Sequence, residues 1–252
     1  VKTILLCAGF ATRLYPLTRN FPKPLLEVAG RPVLEDLVEQ LIATRRVTAF
    51  QVISNARFYA HFEAWAAGLA ARHPSIEFRV LNDGTLDNES RLGAVGDLAL
   101  ALEHEDPGDV ALVAAGDNLF RFDLDAFVER ATTSDRDWIA VYHERDLEKQ
   151  RRTGIVEVDD QGRVVGFHEK SDAPPTDLAS PALYILRRGA LDEIPHFLSQ
   201  HPGADAPGNF IAWLAQRRPV YVHEMRGGRL DVSNRESLER AEAWLREADA
   251  RG

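Results

Sequence analysis

The stretch LLCAGFATRLYPLTRNFPKPLLEVAGRP, residues 5–32, sets Arg13 and Lys23 into a run of small residues and prolines. Small residues at Ala8, Gly9, Ala11 and Thr12 let main-chain N–H groups come close to a phosphate, and successive N–H groups form an anion-binding nest. Arg13 brings a planar fork that suits phosphate oxygens. Lys23 adds a point charge, and Pro22 and Pro24 stiffen the backbone on either side of it. The same residues also make an ordinary strand-to-helix loop with a surface arginine, and the loop alone does not decide between the two. No G-x-x-x-x-G-K-[ST] and no G-x-G-x-x-G follows the first strand, so a P-loop and a dinucleotide fingerprint have no support.

A loop of this kind needs strands to present it. KTILLCA (2–8), VTAFQVISN (47–55), IEFRVLND (76–83) and DVALVAAGDN (109–118) read as short buried strands. Helical spacing of apolar residues fills the intervals at 31–45, 58–72, 92–103 and 124–133. Strict alternation predicts parallel strands with helices on both faces, and ligands in such sheets bind beyond the carboxyl ends of the strands. The loops after Ala8, Leu81 and Ala115 are therefore the candidate site. The second half reads as strands at DWIAVYHE, ASPALYILRR and PVYVHEM, with TGIVEVDDQGRVVGFHEK a hairpin turning at 159–163. Helices follow at GNFIAWLAQ and SNRESLERAEAWLREADA, the last with Ser233 and Glu236 as a capping box. With no repeat and no linker, residues 1–252 read as a single domain of two lobes, 1–135 and 136–252.

Composition narrows the function classes. The 252 residues are 45% hydrophobic and 27% charged, with a formal net charge of −9 at pH 7. That charge argues against nucleic acid as a partner, whereas a few placed cations and a metal still attract a small anion. Cys7 is the single cysteine, so no internal disulfide forms and a reducing cytoplasm is the expected location. At the end of an apolar strand it reads as a small hydrophobe. No run is long enough to span a membrane, and VKTILLCAG is too short and strand-like for a signal peptide. His61, His143, His168 and His223 show no metal-ligand spacing, and the four tryptophans fall mostly on apolar faces.

Beyond these readings, AGFATRLYPLTRNFPKPLLEVAGRP resembles the opening of the sugar-phosphate nucleotidylyltransferases, whose pattern runs G-x-G-T-R and then P-K. Later segments resemble the family in the same order. ALVAAGDNLF matches its strand ending in Gly-Asp, and GIVEVDDQGRVVGFHEKSD its hairpin leading to Glu-Lys-Pro. LASPALYILRR matches its sugar-lining strand, and GGRLDVSNRESLERA its Trp-x-Asp stretch. Four departures stand out: Ala11 for a glycine, Asn82 for a glutamine, Ser171 for a proline and Arg229 for a tryptophan. Alanine tolerates fewer backbone angles than glycine, so Ala11 implies a slightly altered loop.

The resemblance implies a Rossmann-like α/β nucleotidyltransferase fold, a central mixed, mostly parallel sheet flanked by helices. It implies attack of a sugar-1-phosphate oxygen on the α-phosphorus of an NTP, with release of pyrophosphate. Residues 1–135 would bind the NTP through Ala8, Gly9, Ala11, Thr12 and Arg13, with Asn82 and Gly93 at the base. Asn82 offers both a donor and an acceptor to a base edge. Lys23 would stabilise the transferring phosphoryl group, and Asp117 and Asp231 would hold Mg²⁺. Residues 136–252 would bind the acceptor through Gly154, Glu169, Lys170, Ala179, Ala182 and Tyr184. Neither nucleic acid nor a membrane is an expected partner, and a homo-oligomer is compatible with the sequence. Two rival readings remain: a cytidylyltransferase acting on a non-sugar phosphate such as phosphocholine, and a non-catalytic regulatory homologue.

Overall fold

The computed structural model describes residues 1–232 and 234–249, and side chains through residue 246. The apolar run after the N-terminus forms β1 (Lys2–Leu6). Two 3₁₀ turns, Thr12–Leu14 and Lys23–Leu25, lead to a small hairpin, β2 (Glu27–Val28) and β3 (Arg31–Pro32), and to α1 (Val33–Ala43). Then come β4 (Ala49–Ser54), α2 (Tyr59–Arg72), β5 (Glu77–Asn82), α3 (Ala94–His104), β6 (Val110–Ala115), β7 (Asn118–Arg121) and α4 (Leu124–Thr133). The second half runs β8 (Asp137–His143), α5 (Leu147–Gln150), β9 (Gly154–Val158), β10 (Val164–Glu169), β11 (Leu178–Ser180) and β12 (Leu183–Arg187). It closes with α6 (Arg188–Leu191), α7 (Ile194–Gln200), α8 (Pro207–Ala215), β13 (Val220–Glu224), β14 (Gly228–Asp231) and α9 (Arg235–Asp249).

The large mixed sheet is ordered β10-β9-β11-β8-β12-β6-β1-β4-β5, with β13 added to β8. β6, β1, β4 and β5 are parallel, as the alternation predicts. β12 inserts antiparallel between β6 and β8, and the hairpin β9–β10 extends the sheet through β11. Adjacent residues of a strand point to opposite faces, so each inner strand feeds two cores. Leu5, Val52, Leu112 and Ala114 pack under α1, α2 and α4. Ile4, Ile53, Ala111 and Val113 pack under α3, α7 and α8. This two-sided burial is why those strands read as unbroken apolar runs. Trp138 and Trp213 lie buried in these cores.

Chain order reverses beside β1: β4 and β5 lie on one side of it, β6 on the other. The crevice beyond the ends of β1 and β6 is thus a topological switch point, where open α/β sheets place their ligands. The predicted strand 109–118 is broken there. β6 stops at Ala115, Gly116 and Asp117 turn, and β7 leaves to pair with β14 in a separate ladder. A side chain at position 116 would put its Cβ 2.5 Å from Cys7 Sγ, so only glycine lets the chain turn over β1. A third cluster, with Val28, Leu119, Val232 and Ala241, seats α9 on this ladder. Ser233 lies outside the described residues. At the start of α9, Asn234 Oδ1 accepts from Ser237 N at 2.8 Å and Asn234 N donates to Ser237 Oγ at 3.0 Å, a reciprocal cap one residue later than the sequence reading placed it.

Candidate active site

The loop after β1 is held from beneath and open above. Ala8 is buried, and its carbonyl accepts from Asn55 Nδ2 at 2.8 Å. Gly9 is exposed, with no atom within 4 Å of a Cβ built there. Ala11 adopts the left-handed conformation (φ 47°, ψ 44°) that glycine accepts without penalty, so the loop keeps a glycine-type bend despite the alanine. Its carbonyl is pinned by Thr18 Oγ1 at 2.8 Å and Leu14 N at 3.0 Å. Thr12 and Arg13 face solvent on the following 3₁₀ turn. Arg13 has no carboxylate partner among the described residues, which leaves its fork for an anion.

Lys23 opens the second turn, with Pro22 extended before it and Pro24 behind. Its side chain is 11% exposed; Nζ donates to Asp117 Oδ2 at 2.8 Å and lies 3.7 Å from Asp231 Oδ1. Asp117 and Asp231, 114 positions apart in sequence, meet because β7 and β14 pair with Asp231 opposite Asn118, and Val232 N donates to the Asp117 carbonyl at 3.2 Å. Desolvation would push the Asp117 carboxyl up. The Lys23 ammonium and the Arg229 guanidinium outweigh it and hold the carboxyl below the usual carboxylate range.

From this cation–carboxylate group a cleft of about 310 Å³ runs into the second half. Gly154, Glu169, Lys170, Ala182 and Tyr184 line it as the sequence reading requires. Ala179 does not: it is fully buried in β11 between Tyr142 and Ile155, and Ser180 and Pro181 line the cleft in its place. The side chain of Glu169 is 19% exposed and that of Lys170 60%, so the carboxylate is packed while the ammonium, 3.9 Å away, is exposed. Burial raises the Glu169 pKa, opposed by Lys170. Burial, and then the Glu169 charge, push the Tyr184 hydroxyl up. A Cβ at Gly154 would sit 2.5 Å from the Phe167 ring, and one at Gly208 would sit 2.2 Å from Glu169 Oε2. Both glycines make room for Glu169.

Asn82 is exposed at the end of β5, but its Oδ1 already accepts from Gly84 N at 2.8 Å. Its Nδ2 group and the second lone pair of Oδ1 remain for a base. Gly93 (φ 79°, ψ 160°) precedes α3, and Asp205 fills the space beside it, 2.9 Å from a built Cβ. Among the described residues, three of the five non-glycine positions with positive φ are candidate site residues, Ala11, Lys170 and Ala182. Backbone strain of this kind collects where a site over-determines the chain.

Sequence reasoning missed Asn118, Arg152, Asp205 and Gly208, all of which line the cleft, and gave no role to Arg229, which does too. Asn118 follows Asp117 directly and could have been named with it. Gly208 carries no local signal, because its neighbours Phe167 and Glu169 come from β10. The histidines sit in structural contacts, His143 with Asp177 at 2.9 Å, His168 with Glu157 at 2.6 Å, and His61 and His223 edge-on to Phe21 and Phe127.

The open α/β sheet thus gathers a small-residue loop, a lysine and two carboxylates at its switch point. Residues 2–247 match the Nucleotidyl transferase family, and the chain belongs to that family. It is 31% identical over 195 residues to the mannose-1-phosphate guanylyltransferase of Mycobacterium tuberculosis, covering 77% of this chain and 51% of that protein. It is 24% identical over 248 residues to the UTP–glucose-1-phosphate uridylyltransferase AglF of Haloferax volcanii, covering 98% of this chain and 97% of that one. The chain thus spans about half the length of the first relative and nearly all of the second. A solved structure from Bacillus anthracis, provisionally described as a glucose-1-phosphate thymidylyltransferase in complex with sucrose, superimposes with a TM-score of 0.83 at 22% identity, over 98% of this chain and 95% of that one. At that identity the likeness establishes the fold. Among the described residues no helix is long and apolar enough to cross a membrane.

Proposed function

We propose that this protein transfers a nucleotidyl group from an NTP to a sugar-1-phosphate, forming an NDP-sugar and pyrophosphate. The observation that carries this reading is the convergence of Asp117 and Asp231 on Lys23, at the seam between an open loop fit for phosphate and a cleft fit for a polyol. Residues 1–135 act as the nucleotide half and 136–252 as the acceptor half of one domain. The N–H groups of Gly9 to Thr12 and the free fork of Arg13 receive the β- and γ-phosphates. Lys23 neutralises charge on the phosphoryl group as it passes between two anions. Glu169 orients sugar hydroxyls, Lys170 takes the acceptor phosphate, and Ala182 and Tyr184 shape the wall. Catalysis of this type is mostly positioning and charge neutralisation, and needs no covalent intermediate.

The same two carboxylates suit Mg²⁺, since one cation, the Lys23 ammonium, already lies within reach of both. Among the described residues no group of three or more His, Cys, Asp or Glu side chains is gathered for a metal. Asp117 and Asp231 would be the residues to hold such an ion, since Mg²⁺ in nucleotide sites is commonly bound by one or two carboxylates together with substrate phosphates. When bound it supplies positive charge to the phosphate oxygens.

A sugar is favoured over phosphocholine by the cleft itself. Arg152, Lys170 and Arg229 line it, and its described aromatic lining is Phe167 and Tyr184, not the aromatic cage that holds a quaternary ammonium. A cytoplasmic location belongs to this reading, with the lone thiol of Cys7 buried and unpaired. The test is to incubate the purified protein with each NTP, Mg²⁺ and a panel of sugar-1-phosphates plus phosphocholine, and to follow pyrophosphate. Release with a sugar-1-phosphate is expected. Release with phosphocholine alone would transfer the reading to the cytidylyltransferase, and none with any pair would favour a regulatory homologue.

A further inference from the structure

Arg229 reaches the Asp117 carboxylate through one intermediary. Its Nε donates to Asn118 Oδ1 at 2.8 Å, and its Nη1 donates to the Tyr142 hydroxyl. Asn118 Nδ2 in turn donates to Asp117 Oδ1 at 2.9 Å. A guanidinium has donors only, so it dictates which end of the Asn118 amide is the oxygen and turns the NH₂ toward Asp117. Asn118 is buried, and the same NH₂ also reaches the Pro181 carbonyl at 3.5 Å. Both Asp117 oxygens are then held, Oδ1 by Asn118 and Oδ2 by Lys23. The terminal torsion of an aspartate is otherwise broad.

The anchor is built from three strands. Arg229 comes from β14, Asn118 from β7 and Tyr142 from β8, and the guanidinium carbon lies 5.1 Å from the centre of the Tyr142 ring. Two hydrogen bonds and a ring contact fix a side chain that makes no ion pair with Asp117 or Asp231. We propose that Arg229 is a positioning residue: acting through Asn118, it sets the orientation of the Asp117 carboxylate for the transfer step. The inference rests on the proposed role of Asp117 as the working carboxylate.

The test compares the intact protein with Arg229→Gln, Arg229→Lys, Asn118→Ala, Asp117→Asn and the Arg229→Gln/Asn118→Ala double variant. Folding is followed by thermal melting. Turnover is measured with the NTP and acceptor that release most pyrophosphate in the screen above, and Mn²⁺ binding by electron paramagnetic resonance without substrates. Loss of a residue that orients a metal-binding carboxylate costs roughly ten- to hundredfold. Arg229→Gln is expected to lower kcat and weaken Mn²⁺ binding by that factor while both KM values stay within about threefold. Arg229→Lys keeps the charge without the fork and is expected to remain impaired. The double variant should be no worse than Asn118→Ala, because both act on one chain of contacts. A raised acceptor KM with kcat intact would overturn the inference in favour of direct acceptor binding. Losses that multiply in the double variant would overturn it too, as would wild-type kcat in Arg229→Lys, which serves alone if Arg229→Gln does not fold. Wild-type turnover in Asp117→Asn would instead remove the underlying site reading. An inactive Asp117→Asn beside a fully active Arg229→Gln would remove this inference alone.

Discussion

On the proposed function, the two halves prepare for their ligands in opposite ways. The nucleotide half offers main chain and unpaired charge: Gly9 and Thr12 are exposed, and Arg13 has no carboxylate partner among the described residues. The acceptor half offers packed side chains, with Glu169 wedged against positions 154 and 208 and beside the Phe167 ring. A triphosphate carries several charges and is caught well by a loop with free donors. A sugar is neutral over most of its surface and must be told apart by the fixed placement of a few polar groups. On the proposed function, affinity for the nucleotide follows from charge, and choice of acceptor from shape.

The seam gives the largest expected effect, because the proposed function has Asp117 serve both halves. Asp117→Asn is expected to lower pyrophosphate release at least roughly hundredfold, the scale for removing a charge-handling group from a transition state. Circular dichroism should be unchanged. A variant retaining a tenth of the activity would break the proposed division at its centre.

A substitution that touches only the acceptor half comes next. Gly208→Ala would place a methyl group 2.2 Å from Glu169 Oε2 and 2.5 Å from the Phe167 ring, so the carboxylate must move. Acceptor KM is expected to rise about tenfold, equivalent to about 1.4 kcal/mol, with the KM for NTP unchanged. Equal increases in both KM values would show that the halves do not act separately.

The nucleotide half carries its own stability signature. Asp97, in the first turn of α3, is 6% exposed. Burial and the charges of Asp83 and Asp205 push its carboxyl up to about 8. Its folded-state pKa lies above the unfolded one, so the folded protein holds an extra proton between pH 3.8 and about 8. Stability is then highest on the acid side of that window and falls as pH rises through 8. Asp97→Asn stays neutral and can still donate to Asp83. Between pH 6 and pH 9 the wild type should lose roughly 1–3 kcal/mol more than this variant, read from urea unfolding at each pH. Parallel losses would count against a protonated Asp97.

The smallest effect tests the loop itself. Ala11 holds a left-handed backbone that costs an L-residue roughly 1–2 kcal/mol, and glycine would remove that strain at the expense of greater unfolded-chain entropy. Ala11→Gly is expected to change stability by no more than about 1 kcal/mol and to leave the KM for NTP within about twofold. A large rise in that KM would mean that the alanine methyl group itself meets the nucleotide.

Much of the first half was legible because its strands are buried on both faces and its helices carry one apolar stripe. The period of the pattern alone separates the two. The ladder of β7 and β14 was not legible, since each strand has four residues. A pairing between segments more than a hundred positions apart leaves no local trace. Ala179 was misplaced by one position: neighbours on a strand face opposite ways, and the cleft takes Ser180 at the end of β11 with Pro181 and Ala182 of the link to β12.

The sequence by itself determined which groups are available: a small-residue loop with Arg13 and Lys23, a carboxylate after the fourth long strand, and the Glu169–Lys170 pair. These are local features, carried by residue type and spacing. Only the tertiary structure decided which groups meet. It set Lys23 between Asp117 and Asp231, tied the Asn82 oxygen to Gly84 N, and gave Arg229 a hold on Asn118. Those contacts join distant segments, and their distances follow from sheet order and strand register, which no short stretch of chain encodes.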